Sequence, residues 1–108
     1  MAVYIDDYNA PFRRMKMCHM VADTQEELLL MAKKIGVAER WIQDKDEYSE
    51  HFDICLAKKK LAIAHGAIEI TAREFARICG LRPNAPEAIK KLHEKALPPV
   101  IKQGTLDI

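Results

Sequence analysis

Two histidines and three aspartates, Asp6, Asp7, His19, His51 and Asp53, are the side chains best suited to chemistry in this sequence. Carboxylate oxygens together with imidazole nitrogens suit a divalent metal such as Mn²⁺, Mg²⁺, Zn²⁺ or Fe²⁺. A metal held this way activates water for attack on a phosphate ester. In that reading His19, His51 and Asp53 are the catalytic candidates, and all five residues are candidate ligands. Without a metal, the same groups could do general acid–base work, because a partly buried histidine titrates near neutrality. The spacing His51-x-Asp53 is not a specific signature, and plainer readings exist. Asp6 and Asp7 can simply end a strand, Asp23 can cap a helix, and His19 can be a core histidine satisfied by a hydrogen bond. No Ser-His-Asp spacing and no activated cysteine supports nucleophilic catalysis.

A second constellation is cationic and aromatic. Arg13, Arg14, Lys16, Arg40 and Lys58 to Lys60, with Tyr4, Tyr8, Phe12 or Trp41, could hold a nucleotide or nucleic acid by phosphate contacts and base stacking. Arg40, Trp41 and Lys59 are the substrate-binding candidates, and Arg40 or Lys59 would stabilise an anionic transition state. Lysine runs on helices are usually solvated faces. A third candidate, a helix-turn-helix from Thr71 to Leu97, has a turn from Cys79 to Pro86 longer than such motifs use. Its second helix also mixes Glu87 and Glu94 with Lys90, Lys91 and Lys95, so a plain helical hairpin is the simpler reading.

The elements that must position these residues centre on Lys16 to Gly36. Met17, His19 and Val21 alternate with Cys18, Met20 and Ala22, which gives a strand two largely apolar faces and a central place in a sheet. Thr24 and Glu27 have capping-box spacing, Asp23 being the other candidate cap. Leu28, Leu29, Met31, Ala32 and Ile35 form a buried stripe, Gln25, Glu26, Lys33 and Lys34 face water, and Gly36 stops the helix. Before this unit, Ala2 to Ile5 reads as a buried strand, and Tyr8 to Met15 as an exposed, positive loop. After it, Val37 to Ile42 is either a short strand or a helical turn, and Asp44 to Glu50 is a solvated loop. His51 to Cys55 alternates as a strand with His51 and Asp53 on one face.

Leu56 to His65 reads as a helix with Leu61, Ala62 and Ala64 inward and Lys58 to Lys60 mostly outside, ended by Gly66. Ala67 to Ile70 is a further strand. Thr71 and Glu74 repeat the capping-box spacing before a helix closed by Gly80. Pro86 to Ala96 reads as a short amphipathic helix, and Pro98 and Pro99 forbid its continuation.

The chain has 108 residues, 49% apolar and 31% charged, which fits one soluble domain with a real core. Its formal net charge of +1 gives no bulk electrostatic argument for nucleic acid or an anionic membrane. Cys18, Cys55 and Cys79 are dispersed and sit among apolar neighbours, as buried small hydrophobes in a reducing cytoplasm do. No signal peptide or membrane span is visible.

Taken together, VYIDD, the CHMVAD strand, GV-x-x-RW-x-Q, HFDI and LA-x-x-x-GAIEIT resemble an uncharacterised group of short bacterial and phage proteins, domain-of-unknown-function family 4031. The resemblance covers roughly residues 2–71. It implies no activity, but Asp6, Asp7, His19, Asp23, Arg40, Trp41, His51, Asp53 and Lys59 match positions typical of the group. Glu39 stands where similar proteins carry a second arginine, against a paired-arginine anion site.

The expected fold is therefore α/β, a small sheet of three to four strands with helices packed on it, plus a C-terminal helical extension. Residues 1–97 form a single domain that includes a helical hairpin, and 98–108 form a tail able to dock on a partner or a second copy. The expected function is that of a cytoplasmic phosphate- or nucleotide-directed protein, in one version a divalent-metal-dependent phosphoesterase or nuclease-like hydrolase. The alternative is a non-enzymatic phage or bacterial module that binds a nucleotide or a protein partner.

Overall fold

A sheet needs a central strand buried on both faces, and Met15–Ala22 takes that place. The computed structural model describes residues 2–80 and 85–87. Within them lie strands β1 (Val3–Ile5), β2 (Ala10–Phe12), β3 (Met15–Ala22), β4 (Phe52–Cys55) and β5 (Ile68–Glu69). The helices are α1 (Gln25–Lys34), α2 (Leu56–Ala64) and α3 (Ala72–Gly80), with a single 3₁₀ turn at Glu39–Trp41.

Met20 of β3 pairs with both Ile5 and Phe52, and Met17 pairs with both Ala10 and Cys55. Strands β1 and β2 therefore follow one another along one edge of β3, while β4 holds the other. All three run antiparallel to β3, and β5 adds to β1 in parallel. Cys18, Met20 and Ala22 share a face with Val3, Ile5, Phe52 and Ile54, all buried. Leu28, Met31, Ala32 and Ile35 at α1 and Ala62 of α2 complete that core. The opposite face carries Met17, His19 and Val21 beside Tyr4, Asp53 and Cys55, and α3 packs against it through Phe75.

The expected punctuation is present. Thr24 accepts the Glu27 amide at 3.2 Å and donates to the Glu27 carboxylate at 2.8 Å. Gly36 adopts φ +79°, where an added Cβ would also crowd the Lys58 ammonium at 3.2 Å. Thr71 accepts the Glu74 amide at 3.1 Å, opening α3. Cys18 and Cys79 are buried and Cys55 half-buried, and none of the three is in a disulfide.

Three differences from the sequence reading have physical causes. The sheet has five strands because Tyr8 to Met15 is not a loop throughout. Ala10–Phe12 pairs with Met15 to Met17, and Pro11 is tolerated because this short strand lies at an edge. Helix α2 is rotated from the expected face. It buries Lys59 and Ala62 and leaves Leu61 45% exposed. Two of its three lysines are occupied: Lys58 donates to the Ile35 carbonyl at the end of α1, and Lys59 pairs with Glu69 at 2.8 Å. Between Asp44 and Glu50 the chain is ordered around the buried Glu50, whose carboxylate accepts from Gln25 and from the Asp46 amide. Of the two alternatives open for residues 37–42, the chain takes the helical turn, at Glu39–Trp41. The expected helix at Pro86 to Ala96, the second half of the helix-turn-helix candidate and the 98–108 tail lie outside the described residues, apart from 85–87.

Candidate functional site

The site begins with a defect in the sheet. Four residues, Asp6 to Asn9, stand between the pairs Ile5–Met20 and Ala10–Met17, and only Cys18 and His19 face them across the ladder. Such a bulge bends the strand and re-aims its side chains. Here it turns the wholly buried Asp6 carboxylate back onto β3. Asp6 Oδ1 accepts the His19 amide at 2.8 Å and the Tyr8 amide at 3.2 Å, and Oδ2 lies 2.6 Å from His19 Nδ1. The Asp6 carbonyl, freed from the ladder, accepts Lys59 Nζ at 3.0 Å.

This network assigns the His19 tautomer. A carboxylate already accepting two amides presents an acceptor to Nδ1, so the ring proton sits there and the Nε2 lone pair points away. His51 is built on the same plan from a different element. Its Nδ1 lies 2.6 Å from the Ser49 carbonyl, which can only accept, so the neutral ring carries its lone pair on Nε2 and the protonated ring donates from Nε2 to Asp53. Asp53 sits across β4–β3 from His19, in register. Its Oδ2 accepts Gln43 Nε2 at 2.5 Å, and its Oδ1 lies 3.3 Å from His51 Nε2 and 3.9 Å from His19 Nε2. A paired backbone bridge between Gln43 and His51 holds the Gln43 segment against β4.

One ligand atom from each of His19, His51 and Asp53 lies within 4.8 Å of the others. Bonds of about 2.0–2.2 Å to a common ion place neighbouring ligand atoms about 3–3.5 Å apart, so a small inward movement suffices. With both rings neutral, two lone pairs and an anion converge on one point and call for a cation, a metal ion or a proton. In the metal-free protein the surroundings of His51 favour a proton there. Burial opposes charging of His51, but its hydrogen bonds to Asp53 and Ser49 and the charges of Asp53 and Asp44 outweigh that, raising its pKa above 6.5. The hydrogen bond from His51 in turn holds the Asp53 carboxyl below its ordinary value, against the effect of burial.

Phe75 of α3 covers the imidazoles from one side, stacked on His19 at 4.5 Å and 9°, with its edge set against His51 at 5.8 Å. A cleft of about 630 Å³ that Phe75 does not line opens on His19, Gln43 and Asp53, walled by Tyr8, Phe12 and Trp41.

Of the sequence candidates, His19, His51 and Asp53 come together at one point. Asp6 stands behind His19, on the Nδ1 side. Asp7 accepts the Ala72 amide at 2.9 Å, at the start of α3. Asp23 accepts the Ala2 amide at 2.7 Å and the Tyr4 hydroxyl, and so fastens the start of β1. Trp41 lines the cleft, with the Arg40 guanidinium 5.2 Å from its ring centre. Lys59 does not line it, its ammonium being engaged by Asp6 and Glu69. Gln43, Ser49 and Phe75 belong to the site and were missed as functional residues. Ser49 acts through its main-chain carbonyl, which no side-chain pattern reveals, whereas Phe75 could have been suspected from the amphipathic pattern of α3.

The family described as Protein of unknown function (DUF4031) matches residues 3–82. That span takes in the resemblance seen over residues 2–71 and runs on through α3, so it includes Phe75. No curated protein and no solved structure matches the chain.

Proposed function

The chain belongs to the DUF4031 family, and we propose that this member is a divalent-metal-dependent hydrolase of phosphate esters. One observation carries the reading. Both histidines have Nδ1 tied to a fixed acceptor, so in the neutral rings that bind a metal the Nε2 lone pairs converge with Asp53 Oδ1. Metal-binding histidines characteristically donate their other nitrogen to a carboxylate or backbone carbonyl, and both versions occur here. Two imidazoles with one carboxylate favour Zn²⁺ or Mn²⁺ over Mg²⁺, which prefers oxygen ligands.

Three protein ligands leave coordination positions for water, whose pKa falls to about 7 on a catalytic zinc. A metal held by His19, His51 and Asp53 would supply the hydroxide for attack on phosphorus; the ester P–O bond would break and the water proton would end on the departing alkoxide. Gln43 keeps Asp53 single-pronged by occupying its second oxygen. Phe75 keeps solvent off the imidazoles. Arg40 and Arg13, beside the cleft aromatics, are the cations placed to meet phosphate charge. Lys59, committed to Asp6 and Glu69, acts at one remove by holding the bulge.

The test is calorimetric titration of chelator-treated protein with Zn²⁺, Mn²⁺ and Mg²⁺, followed by a phosphodiester turnover assay with the metal that binds. One equivalent of Zn²⁺ or Mn²⁺ bound, lost in His51→Ala and Asp53→Ala, is expected, with turnover lost in the same variants. Absence of stoichiometric binding by any of the three metals overturns the reading. Metal binding without turnover would leave the metal centre and favour the non-enzymatic module.

A further inference from the structure

The walls of the cleft are made of apolar rings left in water. Trp41 is 61% exposed, Tyr8 57% and Phe12 50%. They come from the 3₁₀ turn, the bulge and β2, so three separate elements deliver an aromatic ring to one opening. None of them belongs to the buried core. Each guanidinium beside them already lies against a ring, Arg13 at 5.4 Å from the centre of Phe12 and Arg40 at 5.2 Å from that of Trp41. Arg13 lines the cleft, and Arg14, Lys16 and Arg40, next in sequence to residues that line it or pair with them, are exposed as well, with Glu39 the exposed acid beside Arg40.

The hairpin tip adds an independent observation. Arg13 adopts φ +57°, a conformation that favours glycine, so the turn itself does not ask for an arginine. A strained residue kept at such a place points to use of its side chain.

We propose that this cleft stacks a nucleobase, so that the phosphate ester presented to the metal centre belongs to a nucleotide or to a single strand of nucleic acid. Every base offers a π-face to an aromatic ring, and guanidinium groups pair with phosphate in the same stroke. At about 630 Å³ the cleft is within the usual range for small ligands, about 300–1,000 Å³. The chemistry of cleavage rests on the metal reading, but base binding requires only the rings.

Trp41 is the one tryptophan in the chain, so its fluorescence reports on the cleft directly. Full-length, chelator-treated protein is titrated with adenosine 5′-monophosphate, with a single-stranded oligodeoxyadenylate of about ten nucleotides, and with ribose 5-phosphate as the base-free control. Saturable quenching by the first two and none by the third is expected. A strand bound about tenfold or more tighter than the mononucleotide identifies nucleic acid as the source, and equal affinities identify the free nucleotide.

Phe12→Leu, which keeps apolar bulk but removes the π-face, weakens binding about tenfold, as does Tyr8→Ala. Unchanged affinity in both variants, an equal response to ribose 5-phosphate, or no saturable response overturns the proposal. Metal binding that persists while base binding fails would sink this inference alone, and base binding without metal binding would sink the hydrolase alone.

Discussion

The two faces of β3 are built from alternate residues of one strand, yet they follow opposite rules. Cys18, Met20 and Ala22 go into a dry layer with Ile5, Phe52 and Ile54, where shape decides everything. Met17, His19 and Val21 face a layer in which polar groups must each find a partner, and the aromatics at its rim stay wet. Stability is concentrated on the first face and chemistry on the second. Their separation by a single residue is the consequence of period-two geometry.

Phe52 and Asp53 are neighbours in sequence and test this division most severely. Phe52→Ala opens a void in the dry layer and costs about 3–5 kcal/mol, a large share of the usual stability of a small domain. Asp53→Ala costs about 1 kcal/mol or less in chelator, because the lost pair is partly exposed. Denaturant unfolding of the two variants checks this, and equal losses would break the contrast.

Ligand linkage comes next in size. Zn²⁺ or Mn²⁺ at a hundred times its dissociation constant adds about 2.7 kcal/mol. For a domain of this size each kcal/mol moves the midpoint by about 4–8 °C. The shift is expected in the parent and in a folded dry-face variant such as Ile54→Val, and absent in Asp53→Ala.

Asp6→Asn sharpens the comparison, since Asp6 is as buried as any core residue but serves the polar face. The amide keeps an oxygen for the His19 N–H but turns a donor toward Nδ1, which drives the ring proton to Nε2. Metal affinity should fall about 10–100-fold by titration calorimetry. An unchanged affinity would reduce Asp6 to a structural bulge residue.

The smallest effect is the pH dependence of the metal-free protein. The raised His51 pKa adds stability that is complete below about 6.5 and disappears as pH rises through the higher folded value. The lowered Asp53 pKa adds stability that is complete above about 3.8 and is lost as pH falls through the lower folded value. Melting temperature should therefore show a shallow maximum between these limits, removed by His51→Ala. Metal stabilisation runs the other way on the alkaline side, growing as His51 loses its proton.

Local signals in the sequence carried most of the framework. The capping pairs at Thr24 and Thr71, the glycine stop at Gly36 and the alternation of β3 and β4 were all legible, because each depends on residues a few positions apart. What escaped depends on partners distant in the chain. Lys59 looks solvent-facing until β5 brings Glu69 beside it, and β2 is no strand until the bulge delivers it to Lys16. Asp7 likewise resembles Asp6 on paper, and only the docking of α3 gives them different duties. The grouping of His19 with Asp53 needed strand register, which no spacing within either strand encodes.

Helix α2 starts at Leu56 with no residue between it and β4. Covalent chain thus leads from Asp53 to Lys59, which grips the Asp6 carbonyl, and Asp6 grips His19, which faces Asp53 again. The site is a closed loop of mostly short, stiff links, so a tug on any member is felt by the rest. An ion seated at the centre would tighten the loop as a drawstring does, and amide hydrogens from Asp6, His19 and Asp53 should slow their exchange with solvent together.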